Sequence, residues 1–340
     1  MYSRLLALSF VSLMFSAGVQ AGRPDSVLAI STDNDLFSPT QTDRDYTAGV
    51  AITYASGSEN FASNGFSTTA RTIDNLLLPA SVVAGDKPDN TSVEFGIYGF
   101  TPEEIKEKNI EWDDRPYSSL VYLSSSQSYR NGAGSGWTTS MTLGVLGLDI
   151  FKSSQNAIHK VIGSDRAEGW DHQISNGGEP TFRYSAAYHQ YLETDSPDPQ
   201  LKFTYFGSVG YLTEFGAALV FRDGLISSPD NRFNPELMAY GESAPSAALA
   251  GGRENYFWGG VSVKARAYNA FLQGQFRDSD HELSASDLNV LLVEAWAGYT
   301  HSFGSGTELS YVLRVQSSEI KDGKGDRTLS WGGLVLSQRL

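Results

Sequence analysis

Between two alternating apolar runs lies "STDNDLFSPTQTDRDYTAGV", Ser31 to Val50, which gathers Asn34, Asp35, Asp43, Arg44, Asp45 and Thr47. A solvated connection needs polar residues, but not an Asn-Asp pair at one end and a threonine at the other. A carboxylate with oxygens beside it suits Ca2+, a hard ion that takes oxygen ligands. Further along, Gln155 and His159 stand four apart in "SSQNAIHKVIGSD", so a helix there sets both on one side. Histidine is a natural general base near neutral pH, and a bound ion would polarise an ester carbonyl and stabilise its oxyanion. Lys106, Lys108 and Arg115 would hold a phosphorylated lipid by charge-assisted contacts. Taken alone, His159 reads by default as a histidine on a helix surface, so the chemistry depends on what the chain brings together.

The N-terminus, "MYSRLLALSFVSLMFSAGVQA", has Arg4, an apolar core from Leu5 to Phe15 and a small-residue site at Val19-Gln20-Ala21, the pattern of a secretory signal peptide. Residues 1–21 are therefore expected to be removed and residues 22–340 to form one exported domain. The apolar run is shorter than the ~20 residues of a membrane helix. The net charge of -14 excludes nucleic acid as a partner, because phosphate backbones demand a basic footprint. With no cysteine, neither a disulfide framework nor a thiolate zinc site is available.

The mature chain alternates with period two. "SVLAIST", "TAGVAITYAS", "TSVEFGIYGF", "YSSLVYLSSSQS" and "WTTSMTLGVLG" lead a series of roughly twelve aromatic or β-branched runs, each near the ~10 residues of a tilted transmembrane strand. Lipid forbids an open sheet edge, so such a sheet must close. The expectation is an all-β chain, a transmembrane antiparallel β-barrel of about twelve strands in the bacterial outer membrane; a secreted sandwich or soluble barrel is the alternative.

With both termini periplasmic, the connections Asp33–Tyr46, Thr101–Pro116, Leu148–Glu179, a tight turn near Leu212–Phe215, Ala270–Asp287 and Ile320–Arg327 face outside. Two long segments, Gly57–Asn90 and Asp223–Asn255, fall on the periplasmic side; "RTIDNLLLPAS" in the first reads as a short helix. The third outer connection holds the strongest helix, with Ser153 or Ser154 as N-cap, Gly163 at its end and Ile158, Val161 and Ile162 as its apolar face. Asn34-Asp35, Thr47, the Lys106/Lys108/Arg115 cluster and His159 all come out in the first three outer loops.

Four stretches, "STDNDLF", "TDRDYTAGV", "DDRPYSSL" and "SQNAIHKVIGSDRAEGWDHQI", resemble the outer-membrane lipid A 3'-O-deacylase family of the LpxR type. The last is the most specific: Gln-x-x-x-His, then Ile-Gly, then Trp-Asp-x-Gln. The resemblance runs from Ser26 to the C-terminus and is strongest through Gln173. It implies a twelve-stranded barrel that removes a 3'-linked acyloxyacyl group from lipid A, in the lipopolysaccharide of the outer leaflet, by Ca2+-dependent ester hydrolysis. It also implies a site between the barrel wall and a loop helix. Carried over to this chain, the catalytic set is Asn34, Asp35, Thr47, Gln155 and His159. The metal ligands are Asp35 and Asp165, the latter standing where the family has glutamate. Lys106 and Lys108 are nearest to the family's Lys-Arg pair, with Arg115 a further substrate-binding candidate. His159 would draw a proton from water while the ion carries the oxyanion.

No Gly-x-Ser-x-Gly elbow marks a serine nucleophile. Two other readings stay open: an outer-membrane phospholipase sharing His159 and Ca2+, and a non-catalytic structural or porin-like barrel. Twelve strands leave a narrow lumen beside the ~16 of general porins. His172 reads as a loop residue beside Trp170, and His189 as a barrel residue of unknown facing.

Overall fold

In the computed structural model the alternating runs become β1 (Ser26–Asn34), β2 (Asp45–Ser56), β3 (Asn90–Thr101), β4 (Ser118–Asn131), β5 (Ser135–Leu146), β6 (Glu179–Leu192), β7 (Gln200–Gly210), β8 (Leu212–Leu225), β9 (Asn255–Asn269), β10 (Leu291–Ser302), β11 (Thr307–Gln316) and β12 (Leu329–Arg339). Each pairs antiparallel with its neighbours, and β1 closes on β12 with Val27 opposite Arg339 and Asn34 opposite Gly332. The structure describes residues 26–39, 44–57, 65–79, 82, 88–131, 134–163, 165–192, 199–228, 237–240, 242–243, 253–303 and 306–340. The expected signal peptide, residues 1–21, and Asp43 lie outside the described residues.

Period two sorts each strand between lipid and lumen. On β8, Phe215, Leu219 and Phe221 are exposed on the outer wall, while Glu214 and Arg222 are buried inside. Val50, Ile52, Phe95, Leu123, Leu143 and Phe182 continue the apolar belt around the wall. Inside, Tyr46, Tyr98, Phe100, Tyr240, Phe271 and Trp331 fill the upper lumen. Tyr240 stacks on Tyr46 at 5.8 Å and meets Phe100 edge-on at 4.8 Å. It comes from the long periplasmic-side connection, which enters the barrel as a small ribbon of Leu237–Ala239 and Glu242–Ser243. Arg266–Glu214 at 2.7 Å and Lys264–Glu294 at 2.8 Å pair the buried charges. A cavity beside them is lined in part by His189, Lys202, Arg222 and Trp258.

Three expectations need correction at their boundaries. The outer-loop helix, α2, spans Asp149–Ile162 with Leu148 as N-cap, so it starts before Ser153. Asp149 sits in the first turn, where a carboxylate favours the positive helix end, and Ser154 Oγ bonds back to Ile150 O inside the helix at 2.9 Å. Gly163 ends it in the left-handed region at φ +77, as expected. The side chains of Val161 and Ile162 lie outside the described residues. The tight turn falls at Tyr211, because Leu212 already points into the core. In the first periplasmic-side segment the helix, α1, spans Gly65–Leu77 and starts ahead of Arg71.

Candidate active site

The hairpin of β1 and β2 places the first residues. Asn34 pairs with Ala48 and Asp33 with Gly49. Tyr46 lies in the lumen cluster and bonds Asp33 at 3.3 Å, so Asp33 points inward and Asn34 and Ala48 point out. Asn34 spans both ends of the loop: its Oδ1 accepts from Leu36 N at 2.7 Å and its Nδ2 donates to Thr47 O at 2.9 Å. Asp35 is 1 % exposed, and its Oδ2 accepts from Arg44 N at 2.6 Å.

Thr47 owes its position to a bulge. The pairing of β2 with β3 slips between Tyr46 and Ala48, just after Asp45 at φ +65. A bulge inserts one residue and re-aims its side chain. Thr47 Oγ1 consequently reaches Thr101 Oγ1 at 2.6 Å. Thr101 and Gly99 alternate with the inward-pointing Phe100 and Tyr98, so they share the outer face with Asn34 and Ala48.

Helix α2 docks on that face. Phe151, Gln155 and His159 follow at intervals of four and are all buried, 5–6 % exposed, whereas Ile150 and Ile158 are 55 % exposed. Phe151 rests on the bare backbone of Gly99, where an added Cβ would come within 2.7 Å of the ring. Trp170 packs at a tilt with its ring 5.1 Å from Phe151 and 4.8 Å from Tyr117, and Ala48 and Ile97 of the wall pack against this cluster.

The same packing orients the polar groups. Trp170 Nε1 donates to Gln155 Oε1 at 2.8 Å. Gln155 Nε2 is then buried with no hydrogen-bond partner among the described residues. Asn156 grips Ala167 through its backbone N and O, at 2.9 and 3.1 Å, and this holds the carbonyl of Asp165 against His159 Nδ1. A carbonyl only accepts, so Nδ1 carries the hydrogen and Nε2 carries the basic lone pair.

The charged candidates divide. Lys106 meets Asp165 at 2.8 Å and Lys108 meets Glu168 at 3.2 Å, both lysines well exposed. Its hydrogen bond to the Asp165 carboxylate pushes the Lys106 ammonium above its ordinary pKa. With Glu168 N bonded to Ile105 O at 2.8 Å, these pairs tie the second outer loop to the segment behind α2. The carboxylate of Asp165 thus points to Lys106, and only its backbone meets His159. Arg115 is 2 % exposed over the Phe100 ring, between Asp45 at 3.3 Å and Glu319 at 3.2 Å. It braces the lumen mouth and does not reach the face that Asn34 shares with α2. Glu319 is buried, which would raise its pKa, yet Arg266 and Arg115 hold it below the ordinary range.

His172 lies in the one-turn helix Gly169–His172 with Nδ1 at 2.7 Å from Asp280. His189 faces the lumen between Thr204 and Thr138, both at 3.0 Å. Gly99, Thr101 and Phe151 carry no functional signal in the sequence, where Trp170 stands only as part of a motif. A glycine inside an aromatic strand was the one local sign of a close approach.

The donors around Asn34 are carboxylate, amide and hydroxyl oxygens, a set that suits a hard cation over a soft one. Asp35 is the buried carboxylate among them. Among the described residues no three His, Asp or Glu side chains converge into a metal cluster.

A family model described as outer membrane protein LpxR matches residues 5–340. Among solved structures, LpxR from Salmonella typhimurium superposes with a TM-score of 0.68 at 18 % identity, covering 92 % of this chain and all of that one (100 %). The KdgM porin gives 0.40 at 4 % identity over 92 % and 99 % of the two chains. The translocator domain of autotransporter NalP from Neisseria meningitidis gives 0.42 at 8 % identity over 100 % and 96 %. No curated protein sequence matches.

Proposed function

The chain belongs to the LpxR family of outer membrane proteins, and on that premise we propose that it is a lipid A deacylase, a carboxylic ester hydrolase that cleaves the 3'-linked acyloxyacyl ester. The observation that carries this reading is the seam itself. A histidine with a set tautomer and a buried amide nitrogen that has no partner among the described residues lie on a helix held against the outer wall, the side from which a membrane lipid arrives.

In this reading an acyl chain of lipid A enters between α2 and the wall. His159 Nε2 removes a proton from water as its oxygen attacks the ester carbonyl carbon. Gln155 Nε2, aimed by Trp170, donates to the oxyanion that forms. Collapse breaks the acyl C–O bond, and the proton on His159 passes to the leaving sugar oxygen, so atoms and charge balance. Asn34 and Thr47 line the pocket and fix the loop that carries Asp35. Calcium, held by Asp35 and the Asn34 and Thr47 oxygens with water completing its shell, would act as a Lewis acid on the ester carbonyl. Asp165 contributes its carbonyl to His159 and its carboxylate to Lys106. The exposed Lys106 and Lys108 would exchange their carboxylate partners for the phosphates of lipid A. The leader, residues 1–21, would direct export.

An aromatic plug of Tyr46, Phe100, Tyr240 and Phe271 across the lumen disfavours the porin-like alternative. The test is mass spectrometry of lipid A from a Gram-negative host that lacks deacylases and expresses this chain. Loss of one acyloxyacyl unit supports the proposal. Unchanged lipid A with folded protein in the outer membrane, together with hydrolysis of glycerophospholipid, would select the phospholipase.

A further inference from the structure

The outer wall of β4 changes character halfway down. Leu123 is exposed, but Ser125, Gln127 and Tyr129, which share its face, are buried. Register sets Met141 and Thr139 of β5 beside them, and Tyr184 of β6 beyond. Polar side chains without partners are costly against acyl chains, and here α1 lies across them. Ser67 Oγ meets Ser125 Oγ at 2.9 Å, and Gln127 Nε2 donates to Ser67 O at 2.8 Å. The Asp74 carboxylate, 0 % exposed, accepts from the hydroxyls of Tyr129 at 2.7 Å, Tyr184 at 2.8 Å and Thr139 at 2.9 Å. Phe66, Ala70 and Ile73 pack on Met141 and Tyr184.

The opposite face of α1 does not look like a face for water. Its exposed residues within the helix core are Thr68, Thr69, Thr72, Asn75, Leu76 and Leu77, without a charge. Leu76 is 79 % exposed and Leu77 63 %. Thr69 Oγ1 bonds back to Gly65 O at 2.9 Å and Thr72 Oγ1 to Thr68 O at 3.0 Å, so these hydroxyls are satisfied within the helix without water. A water-facing helix side is normally charged.

The belt of the barrel supplies the complement. Beside α1 the bare wall is Leu123, Leu143 and Phe182, the same apolar surface that elsewhere meets lipid. On β4 this belt shows Leu123 alone among exposed large apolar residues, against Phe215, Leu219 and Phe221 on β8. The lipid-facing band of such barrels is about 25 Å tall, so the short stretch on β4 is incomplete without the helix.

We propose that α1 forms part of the barrel's membrane surface, lying in the periplasmic leaflet with phospholipid acyl chains over its outer face and Asp74 fastening its inner face to the wall. The chain contains no cysteine, so a single introduced thiol reports cleanly. Leu76→Cys removes no buried packing. Gly134→Cys, in the β4–β5 turn where an added Cβ meets nothing within 4 Å, is the water-exposed reference on the same side. Both full-length proteins are folded into phosphatidylethanolamine–phosphatidylglycerol vesicles, with a charged maleimide supplied on both faces of the membrane. The expected result is at least tenfold slower labelling at Leu76→Cys than at Gly134→Cys, with a bimane at Leu76→Cys quenched by lipid-borne nitroxides. Equal labelling rates and no quenching by the lipid nitroxides would overturn the proposal and place α1 in periplasmic water.

Discussion

Trp170 Nε1 donates to Gln155 Oε1 at 2.8 Å, and that bond decides which way the Gln155 amide faces. The indole also packs against Tyr117 and Phe151, so it both seats helix α2 and aims its polar side chain. Trp170→Phe keeps an aromatic ring in that contact and removes the donor. A neutral hydrogen bond contributes ~1 kcal/mol, and 1.4 kcal/mol is tenfold in rate. Deacylation should fall about five- to tenfold while the barrel still resists unfolding in a heat-shift gel assay. A Trp170→Phe protein at full rate would show that the amide's direction is irrelevant.

His159→Ala should lower the rate by about 10²–10⁴, the usual contribution of a general base. The loop behind it stays in place through the Asn156–Ala167 pair. A lipid A time course followed by mass spectrometry measures this, and retention of more than a tenth of the activity would remove His159 as the base.

Gly99→Ala places a methyl within 2.7 Å of the Phe151 ring. Overpacking of this kind costs about 1–3 kcal/mol, here borne by helix docking and not by the strand ladder. Activity should fall with the barrel intact, and Phe151→Leu in the same chain should restore part of it. Wild-type turnover in the single variant would mean that α2 need not touch the wall.

Chelation of calcium should abolish deacylation, and adding Ca2+ back should restore it. Asp35→Asn should raise the Ca2+ concentration needed for half-maximal rate by at least tenfold, since it removes the charged ligand. Activity that is indifferent to chelator in both proteins would exclude the ion from the reaction.

Much of this architecture is written locally. All twelve strands coincide with alternating runs such as "TAGVAITYAS" and "LSWGGLVLSQRL", because a strand between lipid and lumen must switch polarity at every residue. Gly163 marked the end of α2, since the left-handed turn there favours glycine. The start of α2 is not legible in the same way: Ser153 and Ser154 look like caps, whereas Asp149 at the positive end of the helix permits an earlier beginning.

The sequence by itself determined the closed barrel, the one barrel end at which Asn34, Thr47 and His159 all emerge, and the pairing of Gln155 with His159 on one helix face. These follow from period two, from strand parity and from the spacing of four, none of which needs a distant neighbour. Only the tertiary structure decided that Arg115 braces the lumen while Lys106 and Lys108 stay exposed, that Asp165 presents its carbonyl to His159, and that Phe151 uses Gly99 as its seat. The first and last of those outcomes join residues far apart in the chain, Arg115 with Glu319 and Gly99 with Phe151, and the second rests on how the segment after α2 folds back on it. Whether a cation's ion pair stays at the surface, within reach of a substrate, or is buried in the lumen is settled by which strand ends the closed barrel brings together.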